Sequence, residues 1–506
     1  MELVKQIVKK HLKKLLTEQH IRFLTPSGCG PGRLYGTTKV HKSGKPVRPI
    51  VSMVNTPEYR LAKYLDNIIK PFIPAKYSIT SNTDFMHKLK DLELHEGDYC
   101  ISFDIVSLFT NVPLDETISI VANAMHDQPV SKPSLIALLK RATGGIFTHR
   151  NQLYVQEDGV AMGNPLAPTL ANFLLGHLES GLFQDNNTCD QPAFYTRYVD
   201  DIFCVFRKDC DYRPFQDRLN ALHSNLKFTH EMGGTSMPFL DTRITLKPGG
   251  IHSSVYRKPT NTNVVLNNTA VAPSIWKSGL IKCLLKRAQV VCSDDLALAE
   301  EHRKLKEIFY QNGYPYHRFD SIKQKFDGKI ANCRHDSSSH QVGEPEDRKI
   351  VFSVPYLGKI SITFAKRLRN LLSSGGQDIR IIYKTTKIQD SFILKDPVPK
   401  AISSKVVYKF TCRSDPATNY IGFTNRTLSE RVKEHVRGST AVSEHIAACV
   451  KCNGDGITMD DFSIIKRCRY KGESSIYEAL AIKEQNPILN KNLIKPGKTF
   501  NLNLFN

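Results

Sequence analysis

No uninterrupted apolar run in this sequence approaches the ~18 residues that a membrane-spanning helix needs, which excludes such a helix. The opening stretch, MELVKQIVKKHLKKLLTEQH, lacks the continuous apolar centre and small-residue cleavage site of a signal peptide. It is basic and amphipathic instead, with Leu3, Ile7, Leu12, Leu15 and Leu16 near helical spacing. Glu2, Glu18 and the scarcity of Ser and Arg there argue against a mitochondrial presequence. Internal repeats and long low-complexity tracts are missing as well. Acidic residues are in short supply: 49 Asp+Glu face 70 Lys+Arg, a net charge of +21. An excess of that size points to polyanionic partners, because each neutralised phosphate releases condensed counterions. The 12 cysteines are scattered rather than spaced as a disulfide framework, so reduced thiols and an intracellular location are expected.

A chain of 506 residues is too long for one core. Residues 1–258 alternate helical patterns with short aromatic and β-branched runs, the rhythm of an α+β domain. Residues 259–330 read as helices, notably Ser278–Val291 and Asp294–Phe309. Gly- and Ser-rich stretches at Asp336–Ser339 and Ser373–Gly376 make 331–400 a connector with one ordered segment around Val354–Leu372. Residues 401–506 read as a separate module of two short strands, a basic helix and a second helix ending at Asn486-Pro487.

Chemistry-bearing residues start at Tyr198-Val199-Asp200-Asp201. Apolar runs on either side, Phe194–Arg197 and Ile202–Phe206, predict a β-hairpin with both carboxylates at its tip. In Cys100–Ile105, alternation sends Ile101, Phe103 and Ile105 to one face and Asp104 to the other. A carboxylate inside an apolar strand is costly to desolvate unless a cation or donor meets it. Three aspartates from neighbouring strands make the oxygen-rich site that hard Mg²⁺ prefers. Such ions can activate a hydroxyl and stabilise departing pyrophosphate. Gly163 and Pro165, flanking Asn164, break helix and strand alike and set a tight turn before a helix over Thr169–Leu178. Arg48 and Lys39 have the charge to meet a triphosphate, Arg with the better bidentate geometry.

These segments resemble, in order, the motifs of Penelope-like reverse transcriptases. Phe103–Pro113 is similar to the first catalytic motif, Gly159–Pro168 with Leu170-Ala171-Asn172 to the middle one, and the Tyr-Val-Asp-Asp hairpin to the third. Arg33–Gly36, Lys39–Lys42 and Arg48–Ser52 resemble the fingers, and Phe239-Leu240-Asp241 and Val255–Thr260 the later palm. The resemblance implies a right-hand fold, with fingers and palm over 1–258 and a helical thumb over 259–330. It places Phe109, five residues after Asp104, beneath the incoming sugar, and sets Gly163, Asn164 and Pro165 against the template and nascent pair.

Near the carboxyl end, Val406-Val407-Tyr408, Asn419–Phe423 and Thr427–His435 resemble the strands and helix of a GIY-YIG nuclease, a small α/β module. That resemblance implies Tyr408, Tyr420, Arg431 and Glu478 as its site, with Glu478 holding one Mg²⁺, although Ser475–Glu478 is also a capping-box pattern. Val406-Val407-Tyr408 stands where the family name implies Gly-Ile-Tyr. Cys449 and Cys452, with His445 and Cys412, form either a Cys₃His zinc set or a group of free thiols. The expectation is therefore an α+β multidomain enzyme of the nucleus, made in the cytoplasm. It would copy template RNA from a DNA 3′-hydroxyl with deoxynucleoside triphosphates and nick its target DNA. The alternative is a decayed or domesticated copy that binds nucleic acid without turnover. Asp104, Asp200, Asp201, Tyr420, Arg431 and Glu478 are all retained, which favours turnover.

Overall fold

The computed structural model describes residues 2–490 except 41–43, 126–128, 151, 184–189, 336–349, 374–378, 386, 388–391, 393–397, 455 and 469–470. The Gly- and Ser-rich stretches of the connector fall largely outside the described residues. By contact the chain forms two compact units built from non-consecutive segments. One comprises Met1–Ile73, Ser107–His177 and Ile393–Asn506, the other Pro74–Val106 and Leu178–Phe392.

β1 (Gly32–Thr38) and β2 (Val47–Ser52) form an antiparallel hairpin in the first unit. β3 (Tyr99–Ile105) is a central strand of the second unit. β4 (Ile146–His149) and β5 (Gln152–Val155) form a hairpin that joins β1 in parallel, giving the order β2-β1-β4-β5. Helix Lys132–Thr143 packs against helices Glu2–Leu12, Tyr59–Ile69 and Leu114–Ala124. The amino-terminal helix is amphipathic as expected, but the face it buries is Val4, Val8 and Leu12, at i, i+4 and i+8. Leu3, counted on the apolar stripe from spacing, is 60% exposed.

In the second unit, β6 (Phe194–Tyr198) and β7 (Asp201–Phe206) form the anticipated hairpin, and β8 (Phe228–Gly234) completes the sheet β6-β7-β3-β8. Both faces of this sheet are covered at one end. On one side Cys100, Phe203 and Val205 pack with Phe85 and Leu89 of helix Asn82–Leu89. The same cluster takes in Met237 and Phe239 of β9 (Ser236–Phe239) and Ile244 of β10 (Thr242–Lys247), which pairs with β11 (Gly250–Val255). On the other side Phe103 and Phe206 meet Phe215 of helix Arg213–Ala221.

Helices Ser274–Val291, Asp295–Gln311 and Tyr316–His335 follow, closed around Ile281, Leu285, Leu305, Phe309, Tyr314 and Phe319. The Asp294 side chain caps the second helix by accepting from Ala297 N at 2.8 Å. The bundle is tied to β11 through the Ser253 hydroxyl, which donates to Val291 O at 2.6 Å, and to the segment just after β11 through Arg257, which forks onto Glu301. In the connector, β12 (Ile350–Pro355) and β13 (Ile379–Lys384) pair in parallel across helix Lys359–Ser373, so more is ordered there than one segment. In the first unit again, β14 (Ser404–Thr411), β15 (Asn419–Thr427) and β16 (Phe462–Arg467) pair in the order β15-β14-β16. This last segment meets the chain's start, the Ser404 hydroxyl donating to Gly28 O.

Candidate functional site

Asp201 opens β7 directly opposite Asp104 on β3. Opposed residues of an antiparallel pair point to the same face, with Cα atoms roughly 4.5–5.5 Å apart. Asp200 precedes them in the turn, where its carbonyl accepts from Ile105 N at 3.3 Å. The cover over the sheet thins toward this end: Cys100 is buried, Ser102 and Asp104 are half-buried and Asp201 is exposed. Asp104 and Asp201 thus share one face where exposure of the sheet rises, with Asp200 next to them in the turn. Paired carboxylates repel one another, and oxygen ligands are the kind a hard divalent cation takes.

The turn has an unusual first residue. A two-residue hairpin usually places Gly or Asn at a left-handed position, yet Val199 sits there at φ 58°. For a β-branched residue that conformation is an outlier. Beneath it, Arg197 is wholly buried and forks onto Glu179: Nε donates to Oε1 at 2.5 Å and Nη2 to Oε2 at 3.0 Å. Its Nη1 donates to Val199 O at 3.0 Å, and Tyr195 Oη donates to Glu179 Oε1 at 2.7 Å. Burial works against the Arg197 charge, but the Glu179 carboxylate more than offsets it and holds the guanidinium above its ordinary value. Burial, then the Glu179 charge, push Tyr195 well up. Sequence reasoning missed this network. Its signals were a glutamate in a helix otherwise free of Asp, Glu, Lys and Arg (Ala167–Leu182) and an arginine two residues before the hairpin tip.

The other residues singled out in the sequence, Gly163, Asn164, Pro165, Phe109, Arg48 and Lys39, belong to the first unit. Gly163 has φ 120°, and a Cβ there would lie 2.2 Å from Val51 O, so only glycine fits. Asn164 is buried: its amide donates to Ala142 O and its carbonyl accepts from Leu166 N, both at 2.9 Å. Pro165 follows it, half-buried. Phe109 is half-buried on the short helix Leu108–Asn111, its carbonyl accepting from Val160 N at 2.7 Å. Arg48 is exposed on β2, and Lys39 N donates to Pro46 O at the end of that hairpin.

In the carboxyl-terminal segment the structure brings Tyr408, Tyr420 and Arg431 together. Tyr408 Oη lies 2.7 Å from His435 Nε2 and accepts from Arg431 Nε at 3.0 Å, and the two tyrosine rings are 6.3 Å apart. Tyr408 and His435 are wholly buried. Burial pushes the Tyr408 phenol up, and burial together with the Arg431 charge lowers His435 to about 4. Glu478 Oε1 accepts from Phe423 N at 3.1 Å. The helix carrying Glu478 already begins at Lys471, so Ser475–Glu478 is no helix start.

Cys412, His445, Cys449 and Cys452 also converge, their ligand atoms all within 4.8 Å of one another. Cys412 Sγ is 3.8 Å from Cys449 Sγ and 3.6 Å from Cys452 Sγ. Buried His445 Nε2 has no hydrogen-bond partner among the described residues.

Residues 40–232, which contain all three aspartates, match the reverse transcriptase (RNA-dependent DNA polymerase) family. Residues 264–324 match the animal helix-turn-helix domain. No curated protein matches the chain. Among solved structures it is similar to the telomerase of Candida albicans with a fragment of telomeric RNA, at 10% identity and TM-score 0.42, covering 67% of this chain and 65% of that one. It is similar to the telomerase of Candida tropicalis at 13% and 0.38, covering 62% and 56%. It is also similar to the Sicinivirus 3Dpol RNA-dependent RNA polymerase at 12% and 0.38, covering 65% and 71%. The chain thus spans less than two thirds of either telomerase chain.

These matches correct the expected tail. The family found beyond the reverse transcriptase segment is the helix-turn-helix domain, three helices without a strand, and not the GIY-YIG module. The resemblance to a Penelope-like reverse transcriptase carrying that nuclease does not hold. The α+β fold ending in such a nuclease, the second enzymatic activity and target nicking fall with it. The pattern that suggested that module, two strands and a helix with scattered polar residues, recurs widely and does not by itself specify it. Tyr408 and His435 here belong to a packed core with Phe410 and Phe462.

Proposed function

We propose that this chain is an RNA-directed DNA polymerase whose reacting centre is Asp104, Asp200 and Asp201. The observation that carries the reading is the pairing of Asp104 with Asp201 at the open end of the sheet, with Asp200 in the turn beside them. The match of residues 40–232 to the reverse transcriptase family supports it. The three carboxylates would hold Mg²⁺, which supplies activation of a primer 3′-hydroxyl and charge stabilisation at the transferring phosphoryl group. The protein's own part is to fix those carboxylates on a rigid, two-sided sheet. The net charge of +21 suits template RNA, a primer 3′ end and deoxynucleoside triphosphates as partners. The helix-turn-helix segment, anchored just after β11 by the Arg257–Glu301 pair, would add surface for the duplex.

The finer reading of the Cys₃His cluster is a structural zinc site. Four ligands with Zn–S near 2.3 Å form a tetrahedron whose edge is roughly 3.8 Å. The Cys412 separations of 3.6 and 3.8 Å and the orphaned His445 nitrogen fit it.

The test is competition between templates and nucleotides. Purified chain with Mg²⁺ is expected to extend a DNA primer on RNA with deoxynucleotides. Preference for ribonucleotides, or for a DNA template, would replace the reading with another polymerase class.

A further inference from the structure

Metal-binding carboxylates must be held in place as well as supplied. Here two of the three follow Val199 in a turn whose backbone is disfavoured for that residue, since Val199 is β-branched and left-handed. Something must hold that turn. On one side Asp200 O accepts from Ile105 N, which ties the turn to β3. On the other, Val199 O accepts from Arg197 Nη1 at 3.0 Å, and the arginine has no freedom to follow a relaxing turn. Its backbone N donates to Tyr77 O at 2.9 Å and its O accepts from Ile79 N at 2.8 Å. Its other two guanidinium nitrogens are locked onto both oxygens of Glu179. Glu179 is fixed in turn by Tyr195 Oη and by its place on helix Ala167–Leu182. A hydrogen bond from a charged donor is stronger than one between neutral groups, and this donor side chain is itself wholly buried.

We propose that Arg197, braced by Glu179, is the positioning residue that holds Val199 in its left-handed conformation and thereby sets how Asp200 and Asp201 meet the metal. Neither side chain touches substrate. Both act through the turn. The proposal rests on the polymerase reading, and it explains why a buried ion pair stands directly under the hairpin, where apolar residues would pack at lower risk.

The geometry makes a specific demand on the side chain. Only a planar fork serves Glu179 with two nitrogens and Val199 with a third. A lysine keeps the charge but supplies one ammonium that cannot span both. Glycine at 199, in contrast, adopts the left-handed region without help.

The test measures Mn²⁺ affinity of the full chain by electron paramagnetic resonance, alongside the Mg²⁺ concentration for half-maximal primer extension. Arg197→Lys is expected to weaken Mn²⁺ binding tenfold or more and to raise the Mg²⁺ requirement to match, with primer–template affinity little changed. The double variant Arg197→Lys with Val199→Gly is expected to recover most of both. Glu179→Gln, which keeps the shape of the brace, is expected to move both in the same direction by a smaller factor and serves if Arg197→Lys does not fold. A variant that melts earlier yet keeps the parent's Mn²⁺ affinity and Mg²⁺ requirement would overturn the proposal and leave a plain buried ion pair. Failure of the glycine rescue would overturn the role of the turn. A parent chain that neither binds Mn²⁺ nor extends a primer would remove the polymerase reading, and this proposal with it.

Discussion

Replacing Gly163 by alanine should destabilise the first unit by about 4 kcal/mol, and the structure shows why. The residue's φ of 120° is one that L side chains rarely adopt, a penalty of roughly 1–2 kcal/mol. The new Cβ would stand 2.2 Å from Val51 O and 3.2 Å from Val51 C, both backbone atoms that cannot rotate away. Val51 is also held from the other side, its N donating to Met162 O at 2.9 Å. Relief therefore requires breaking that hydrogen bond, about 1 kcal/mol, or accepting an overpacked contact, about 1–3 kcal/mol. For a unit of this size each kcal/mol shifts melting by roughly 2–4 °C, so calorimetry should find Gly163→Ala about 10 °C lower. Gly279 is the contrast. It lies inside helix Ser274–Val291 with nothing within 4 Å of an added Cβ. Gly279→Ala should raise stability by about 1 kcal/mol through helix propensity alone. If Gly163→Ala melts within about 2 °C of the parent, the close approach to Val51 is not real and the turn argument fails.

Two further outcomes are expected from the carboxyl-terminal segment. Protein purified without chelator should carry stoichiometric zinc by elemental analysis; Cys452→Ser should lose it and melt earlier, and a metal-free parent of unchanged stability would refute the site. The His435 shift has a definite sign: the folded value of about 4 lies below the ordinary 6.5, so its contribution is complete above pH 6.5 and is lost as pH falls toward 4. That loss is on the order of 3 kcal/mol, and melts of His435→Gln across the same range should show a flatter pH dependence, whereas an equal slope would contradict the buried neutral imidazole.

The parts of the fold that were legible in the sequence are those where one local rule decides. Alternation in Cys100–Ile105 and the paired apolar runs about Asp200-Asp201 located β3, β6 and β7, because a strand's side-chain period is fixed by its backbone. The helices over Ser274–Val291 and Asp295–Gln311 were legible for the same reason, the second with an aspartate cap at its start. What was not legible depends on partners distant in sequence. Of the expected stripe Leu12 is buried, but Leu3 is exposed and Val4 and Val8 are buried instead, because neighbours, not spacing, decide which face is buried. The parallel pairing of β12 with β13 spans a helix and leaves no local mark. Of the candidate site, the three aspartates could be named from sequence, but not the strained Val199 or the Arg197–Glu179 brace below it. Those exist only once residues 179 and 197 meet in three dimensions. The carboxyl-terminal misreading came from the opposite fault. Tyr408, Tyr420, Arg431 and Glu478 do lie close, but closeness of four polar residues in a packed sheet does not specify a chemistry.

The central claim is that Asp104, Asp200 and Asp201 carry template-directed DNA synthesis, and a single comparison tests it most directly. Parent and Asp200→Asn proteins, matched for melting temperature and RNA binding, are given a DNA primer annealed to RNA with deoxynucleotides and Mg²⁺. The parent is expected to extend the primer and the variant to leave it unextended. Extension by Asp200→Asn at the parent's rate would contradict the account.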